Sequence, residues 1–179
     1  MTAISEAPAP ASAGAAAHTT IKSSLGDLTV VTRDGSVTGL YFPHHWHLPD
    51  RGGFGQYREA GFDEISKQLG EYLDGQRRDF DVPVEAAGSP LQLRVWELIA
   101  RVPYGETVSY GELARELGGG VTPQEVGAAV GRNPVCILIP CHRVVGASGS
   151  LTGYAGGLRR KRTLLQLEQD VAGQSARLF

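Results

Sequence analysis

Cysteine is scarce in this chain, with two in 179 residues, and there is a single methionine. Two cysteines cannot staple a small secreted scaffold. No run of 18 or more apolar residues occurs, so no membrane-spanning helix is expected. Residues 1–17 are mostly Ala, Pro, Ser and Gly with almost no charge. They lack the basic start and continuous apolar stretch of a secretion signal and read as a disordered tail. A reduced, cytoplasmic protein is the expectation. Strong charge is missing too: the net value of −2 argues against a nucleic-acid binder until its distribution is read. Residues 1–88 carry 7 basic and 12 acidic side chains, residues 89–179 carry 10 and 7. A phosphate-facing surface therefore belongs in the second half, and it should be modest.

What is present is enough apolar material, 41% of residues, for one large or two small domains. Leu28–Thr32 and Val37–Phe42 are β-rich and joined by Asp34-Gly35, a hairpin signal. Pro43 to Gly55 reads as a surface loop; its His44, His45 and His47 lack the cysteine or carboxylate pattern of a metal site, and no metal is expected. Apolar residues at 62, 65, 69, 72 and 73 predict an amphipathic helix. Phe80–Val84 reads as an edge strand, because Pro83 cannot donate to a ladder. Ala86 to Ser89 looks like a linker.

From Ser89 the pattern turns helical. Ser89-Pro90, Ser109 with Glu112, and Thr122-Pro123 with Glu125 are cap signals for three helices. The last two, joined by Gly118-Gly119-Gly120, make a helix-turn-helix candidate; such pairs are as often purely structural. A final helix is expected over Leu158–Gln169. The basic run Arg159–Arg162 in its first turns suits solvent or phosphate. The expected layout is a tail over 1–17, an α+β unit over 18–86, a mostly helical unit over 87–172 and a tail over 173–179.

The chemistry concentrates in Val135-Cys136-Ile137-Leu138-Ile139-Pro140-Cys141-His142-Arg143. The apolar run reads as a buried strand or extended core segment that Pro140 ends. A cysteine at that junction, beside an imidazole, is favoured as thiolate. Cys141 is the candidate nucleophile, although a cysteine in such a place is commonly just a small buried hydrophobe. Asn133 and Glu168 are candidates to orient the loop and the imidazole. Cys136 is assigned to the core; on an extended segment five residues place the two sulfurs on opposite faces.

The stretch Asn133–Gly146 resembles the active-site motif of the O6-alkylguanine-DNA alkyltransferases. The likeness extends from about Leu91 to Glu168, through Val102–Thr107, Ser109–Gly111, Val126-Gly127 and Leu151–Gly157. It implies a fold with a small antiparallel sheet and helix, ribonuclease H-like, followed by a winged helix-turn-helix-like domain. It implies direct repair of duplex DNA: O6-alkylguanine, and O4-alkylthymine, is flipped out and its alkyl group moves irreversibly to Cys141, once per molecule and without a cofactor. By the same resemblance Glu168 orients His142, His142 takes the thiol proton through a water, and Tyr110 serves the departing base. Asn133 ties the cysteine loop to the recognition helix. Val130, the Val144 carbonyl, Tyr154, Ala155 and Gly156 hold the base; Ser109, Gln124, Gly127 and Arg132 face DNA.

Two departures stand out. Gln124 occupies the position where the family usually has an arginine that fills the stack, and Glu125 beside it repels phosphate. Ala155 stands where some relatives have serine. The zinc ligands of some relatives have no cysteines to match them here. Two other classes compete: a redox-sensing DNA-binding regulator, which predicts a stable dimer where a monomer is expected here, and a cysteine hydrolase, which predicts multiple turnover.

Overall fold

The computed structural model describes residues 14–176. Three strands, β1 (Ala16–Ile21), β2 (Leu28–Arg33) and β3 (Ser36–Tyr41), form an antiparallel meander. The β2–β3 turn puts Asp34 and Gly35 at φ 50° and 83°, the left-handed pair that a tight hairpin requires. A two-residue strand, β4 (Gln56–Tyr57), runs parallel to β1 at one edge, giving the order β3-β2-β1-β4. The sheet is thus antiparallel except at that edge. Helix α1 (Asp63–Leu73) buries Ile65, Gln68, Leu69 and Tyr72; the three apolar ones join Leu28, Val30 and Leu40 in the core.

Several boundaries differ from expectation. β1 begins at Ala16, inside the expected tail, most of which lies outside the described residues. Backbone pairing of Ala16 with Arg33 orders it where side-chain composition does not. Phe80–Val84 is no full strand: it makes one parallel bridge, Val84 to Val37. Pro83 contributes there as acceptor, taking the Val37 N–H at 2.8 Å.

The second half is helical. α2 (Pro90–Ala100), α3 (Tyr110–Leu117) and α4 (Pro123–Gly131) each begin with a complete capping box, from Ser89/Gln92, Ser109/Glu112 and Thr122/Glu125. Gly118, Gly119 and Gly120 all take positive φ, a turn closed to other residues without strain. Trp96 on α2 is buried and its indole N–H donates to the Ala129 carbonyl of α4 at 2.8 Å. Strands β5 (Val108–Ser109) and β6 (Val144–Val145) pair in parallel, bringing the cysteine turn beside the start of α3. Helix α5 (Leu158–Ala176) extends past the expected end at 169 into the expected tail. One continuous apolar core joins both halves, from Leu28 to Leu164.

Trp96→Phe removes the indole donor and part of the α2–α4 packing. It should lower unfolding free energy by about 1–3 kcal/mol, measured as a lower urea midpoint at unchanged slope; an unchanged midpoint contradicts the role given to Trp96.

Candidate functional site

The apolar run before the cysteine is extended only at its start. Val135 bridges to Leu40 of β3, and Leu40 N–H donates to the Pro134 carbonyl at 2.8 Å. Ile137 then turns into the left-handed region at φ 72°, and Cys136 bridges to Ile139. The expected strand is therefore a folded-back loop. Asn133 locks it: its Nδ2 donates to the Ile139 carbonyl at 2.9 Å and its Oδ1 accepts from Val135 N–H at 3.0 Å. Asn133 is buried and follows directly on α4, with its N–H on the Val130 carbonyl. Because the loop doubles back, Cys136 and Cys141 do not point apart: their sulfurs lie 3.7 Å from each other.

Cys141, His142 and Arg143 form a single buried 3-10 turn. His142 Nε2 meets Glu168 Oε1 at 2.8 Å, with both side chains fully buried. Burial holds the imidazole below its ordinary range, and Glu168 opposes that only in part. A neutral ring donating Nε2–H to a carboxylate leaves a lone pair on Nδ1, which is buried without a hydrogen-bond partner in the protein. Burial alone would raise the Glu168 carboxyl. The His142 and Arg143 hydrogen bonds and charges outweigh it and hold the group well below the usual carboxylate range.

Glu168 has further donors that the sequence did not single out. Arg143 gives it Nε and Nη2 at 3.0 and 2.9 Å, and spends Nη1 on the Val102 carbonyl at 2.6 Å. The Gly105 N–H reaches Oε2 at 3.1 Å, and the Tyr72 hydroxyl, from α1, reaches Oε1 at 2.5 Å.

The basic run on α5 faces neither bulk solvent nor a phosphate surface throughout, as had been expected. Lys161 is fully buried, its Nζ donating to the Val144, Thr152 and Gly153 carbonyls at 2.5, 3.0 and 3.2 Å. Arg160 donates to the Leu25, Pro43 and Gly156 carbonyls. Lys161, Leu164, Leu165 and Glu168 are all buried at i, i+3, i+4, i+7 spacing, the signal by which Lys161 was recognisable. Burial lowers the Lys161 ammonium to about 8, with Cys141 opposing. The Cys141 thiol is itself drawn down: the Cys136 S–H donated to it weighs most, burial opposes, and the Asn133 side chain and the Lys161 charge add to the lowering. Cys136, fully buried, is pushed well up.

A cavity of about 180 Å³ has Tyr110, Gly127, Val130, Tyr154 and Ala155 in its wall. Those five expected residues are thus brought together. Trp46 and His47 complete the wall from the histidine loop, a contribution the sequence did not reveal. The Trp46 side chain is exposed, the residue keeping 57% of its surface, and its backbone N–H donates to the Ala155 carbonyl at 2.9 Å. His45, by contrast, is buried rather than on a surface loop; it stacks on Phe42 and meets Tyr41 edge-on. Among the described residues no cluster of three or more His, Cys, Asp or Glu could hold a metal ion. The Tyr110 hydroxyl donates to the Thr152 carbonyl at 3.2 Å, and burial keeps it protonated. Gly156 presses on Phe42, where a Cβ would lie 2.3 Å from the ring. The Val144 carbonyl, expected to face the base, accepts from Lys161 instead; a carbonyl keeps a second lone pair.

Gln124 is exposed on the first turn of α4 and shares a shallow cavity with Tyr110, Pro123 and Gly127. Glu125 does not reach toward that surface freely: its Oε2 accepts from the Thr122 N–H and hydroxyl, both at 2.8 Å. Ser109 is likewise occupied as the cap of α3, while Arg132 is exposed after α4.

A buried cysteine whose thiol is drawn down, a buried histidine–carboxylate pair that starts at the next residue, and a capped helix pair define a cysteine protein with a helix-turn-helix-like unit. Comparison with known proteins makes the assignment specific. Residues 17–86 match the ribonuclease-like domain of 6-O-methylguanine DNA methyltransferase, and residues 90–170 match its DNA binding domain. The chain belongs to this family. It is 44% identical over 162 residues to the methylated-DNA–protein-cysteine methyltransferase of Mycolicibacterium paratuberculosis, covering 90% of this chain and 98% of that protein. The Mycobacterium tuberculosis relative is 42% identical over 170 residues, with the same coverage. A crystal structure of Mycobacterium tuberculosis OGT in complex with DNA superposes with a TM-score of 0.83 at 41% identity, covering 87% of this chain and 94% of that one.

Because the Glu168 carboxyl is depressed, it stabilises the fold above the ordinary carboxylate range and loses that contribution as pH falls through it. Glu168→Gln should cost about 3 kcal/mol at neutral pH and flatten the decline in stability from about pH 5 downward. Denaturant melts across that range check both; an unchanged acid slope contradicts the charge network.

Proposed function

We propose that this chain repairs alkylated DNA by direct reversal, moving the alkyl group from O6 of guanine, and from O4 of thymine, to the sulfur of Cys141. The observation that carries this reading is that His142, next to Cys141 in one buried turn, is paired at 2.8 Å with the buried Glu168 of α5. The Cys141 proton passes through a bridging water to Nδ1 of His142, and the ring's positive charge is held by Glu168. The thiolate attacks the alkyl carbon, forming a C–S bond as the C–O bond breaks. The electron pair stays on the base, and the Tyr110 hydroxyl supplies the proton that leaves it neutral. The target carbon is out of reach inside a stacked duplex, so the base must be everted, at a cost of a few kcal/mol. Val130, Tyr154, Ala155 and Gly156 then hold it.

The helix pair α3–α4 lies on the duplex, with Ser109, Gln124, Gly127 and Arg132 toward the DNA. Gln124 fills the space left by the everted base without bringing charge. The thioether carries no activated carbon–sulfur bond for water to displace, so each molecule acts once. No cofactor enters, because the acceptor is the protein's own sulfur. The protein acts as a monomer in the cytoplasm; no described helix is long and apolar enough to cross a membrane.

Incubation with a duplex holding one O6-methylguanine, followed by intact mass, tests the reading. One methyl per chain is expected, and none in Cys141→Ser; release of methyl beyond one equivalent, or no adduct at all, contradicts it. Gln124→Arg should raise the repair rate about fivefold at low salt, the worth of one charge-assisted contact. No gain in rate or affinity removes Gln124 from the DNA face.

A further inference from the structure

The sulfur that receives the alkyl group has a second sulfur in contact with it, and alkyl transfer makes no covalent use of that neighbour. Cys136 is fully buried and Cys141 is 2% exposed. Their Sγ atoms are 3.7 Å apart. The backbone between them is a tight fold rather than a strand: Leu138 N–H donates to the Cys136 carbonyl at 2.9 Å, Ile139 N–H to Val135 at 3.0 Å, and Cys141 N–H to Ile139 at 2.7 Å. Asn133 clamps the same Ile139 carbonyl from α4. A disulfide is about 2.05 Å long, so closure requires the sulfurs to approach by roughly 1.6 Å, a distance that side-chain rotation supplies within a loop already doubled back.

We propose that Cys136 and Cys141 are an oxidative modification site, closing to an intramolecular disulfide when a hydroperoxide reaches Cys141 and reopening under a dithiol reductant. The two thiols have different parts. Cys141 is the more acidic and keeps a trace of exposure, 2% against none for Cys136, so it meets the oxidant first; Cys136 keeps its proton. Cys141 thiolate attacks the peroxide oxygen, the O–O bond breaks, and a sulfenic acid forms with release of alkoxide or hydroxide. The Cys136 sulfur then attacks the Cys141 sulfur. The S–O bond breaks, and the departing hydroxide takes the Cys136 proton as water. Two thiols have lost two electrons and two hydrogens, and one peroxide has been reduced. Contact at 3.7 Å lets a weakly ionised resolving thiol compete with a second peroxide.

The consequence is protective. A sulfenic acid left alone goes on to the sulfinic form, which ordinary thiols do not reverse. Capture by Cys136 stops that ladder at a recoverable step, at the cost of an acceptor that cannot take alkyl until reduced. Alkylation and disulfide formation compete for one sulfur.

The test uses the full chain treated with a small excess of hydrogen peroxide, then digested with trypsin. Cleavage after Arg132 and Arg143 leaves both cysteines in one peptide, Asn133–Arg143. Untreated protein should give that peptide with two alkylatable thiols. Treated protein should give it two hydrogens lighter and unreactive to iodoacetamide, and methyl acceptance should fall in proportion. Dithiothreitol should restore the peptide and most of the acceptance. Cys136→Ser and Cys136→Ala, each compared with its own untreated sample, should gain oxygen on Cys141 instead and recover at most a small part of their acceptance. Protein already methylated on Cys141 should give no lighter peptide, a control that needs no substitution. Oxygen adducts on wild-type Cys141 with Cys136 still free, a species of twice the chain mass, or recovery in both Cys136 variants equal to that of the wild type would each overturn the proposal. The mass readout holds whether or not the alkyl-transfer reading does.

Discussion

A carboxylate with no exposure to water is costly unless its charge is answered on the spot, and much of the second half of this protein is arranged to answer Glu168. Arg143 supplies charge, while His142, Tyr72 and the Gly105 amide supply further donors. They come from three separate parts of the chain, so the carboxylate is a meeting point for α1, the loop before β5, the cysteine turn and α5. Breaking any one of them leaves the others facing an incompletely satisfied ion. The imidazole that stands nearest the reactive cysteine is thereby fixed in tautomer and orientation. Lys161, on the same face of α5, holds the far side of the pocket through three carbonyls.

The first half of the chain is therefore no detachable companion. Tyr72 delivers its hydroxyl to Glu168, Leu40 bridges to the start of the cysteine loop, Phe42 receives Gly156, and Trp46 ties to Ala155 and lines the cavity. The small sheet and α1 form the back wall of the site, while α3 and α4 contribute Tyr110, Gly127 and Val130 to the cavity.

Local rules were enough where the governing interaction is local. The Asp34-Gly35 hairpin, three capping boxes and the buried stripe of α1 follow from residues within four positions of one another. Cys141, His142, Asn133 and Glu168 were legible from the motif and its resemblance; the structure pairs His142 with Glu168 and sets Asn133 on the loop that leads into Cys141. What escaped was decided by contacts distant in sequence. Tyr72 was readable as core but not as a donor to a residue 96 positions away. Lys161 sat in a basic run whose charge suggested solvent, while its helical phase with Leu164 and Glu168 placed it inside. The two cysteines were assigned to opposite faces because a β-rich run was taken as extended. A single left-handed residue, Ile137, reverses that.

Everything chemical here requires Cys141 to give up its proton more readily than an ordinary thiol although it is almost wholly buried. The most direct test is an ultraviolet thiolate titration of the full chain, with protein methylated on Cys141 as the blank. A midpoint below the ordinary thiol value of about 8.5 is predicted, moving upward in Lys161→Gln. A thiolate that forms only at or above that value, indifferent to Lys161, would contradict it.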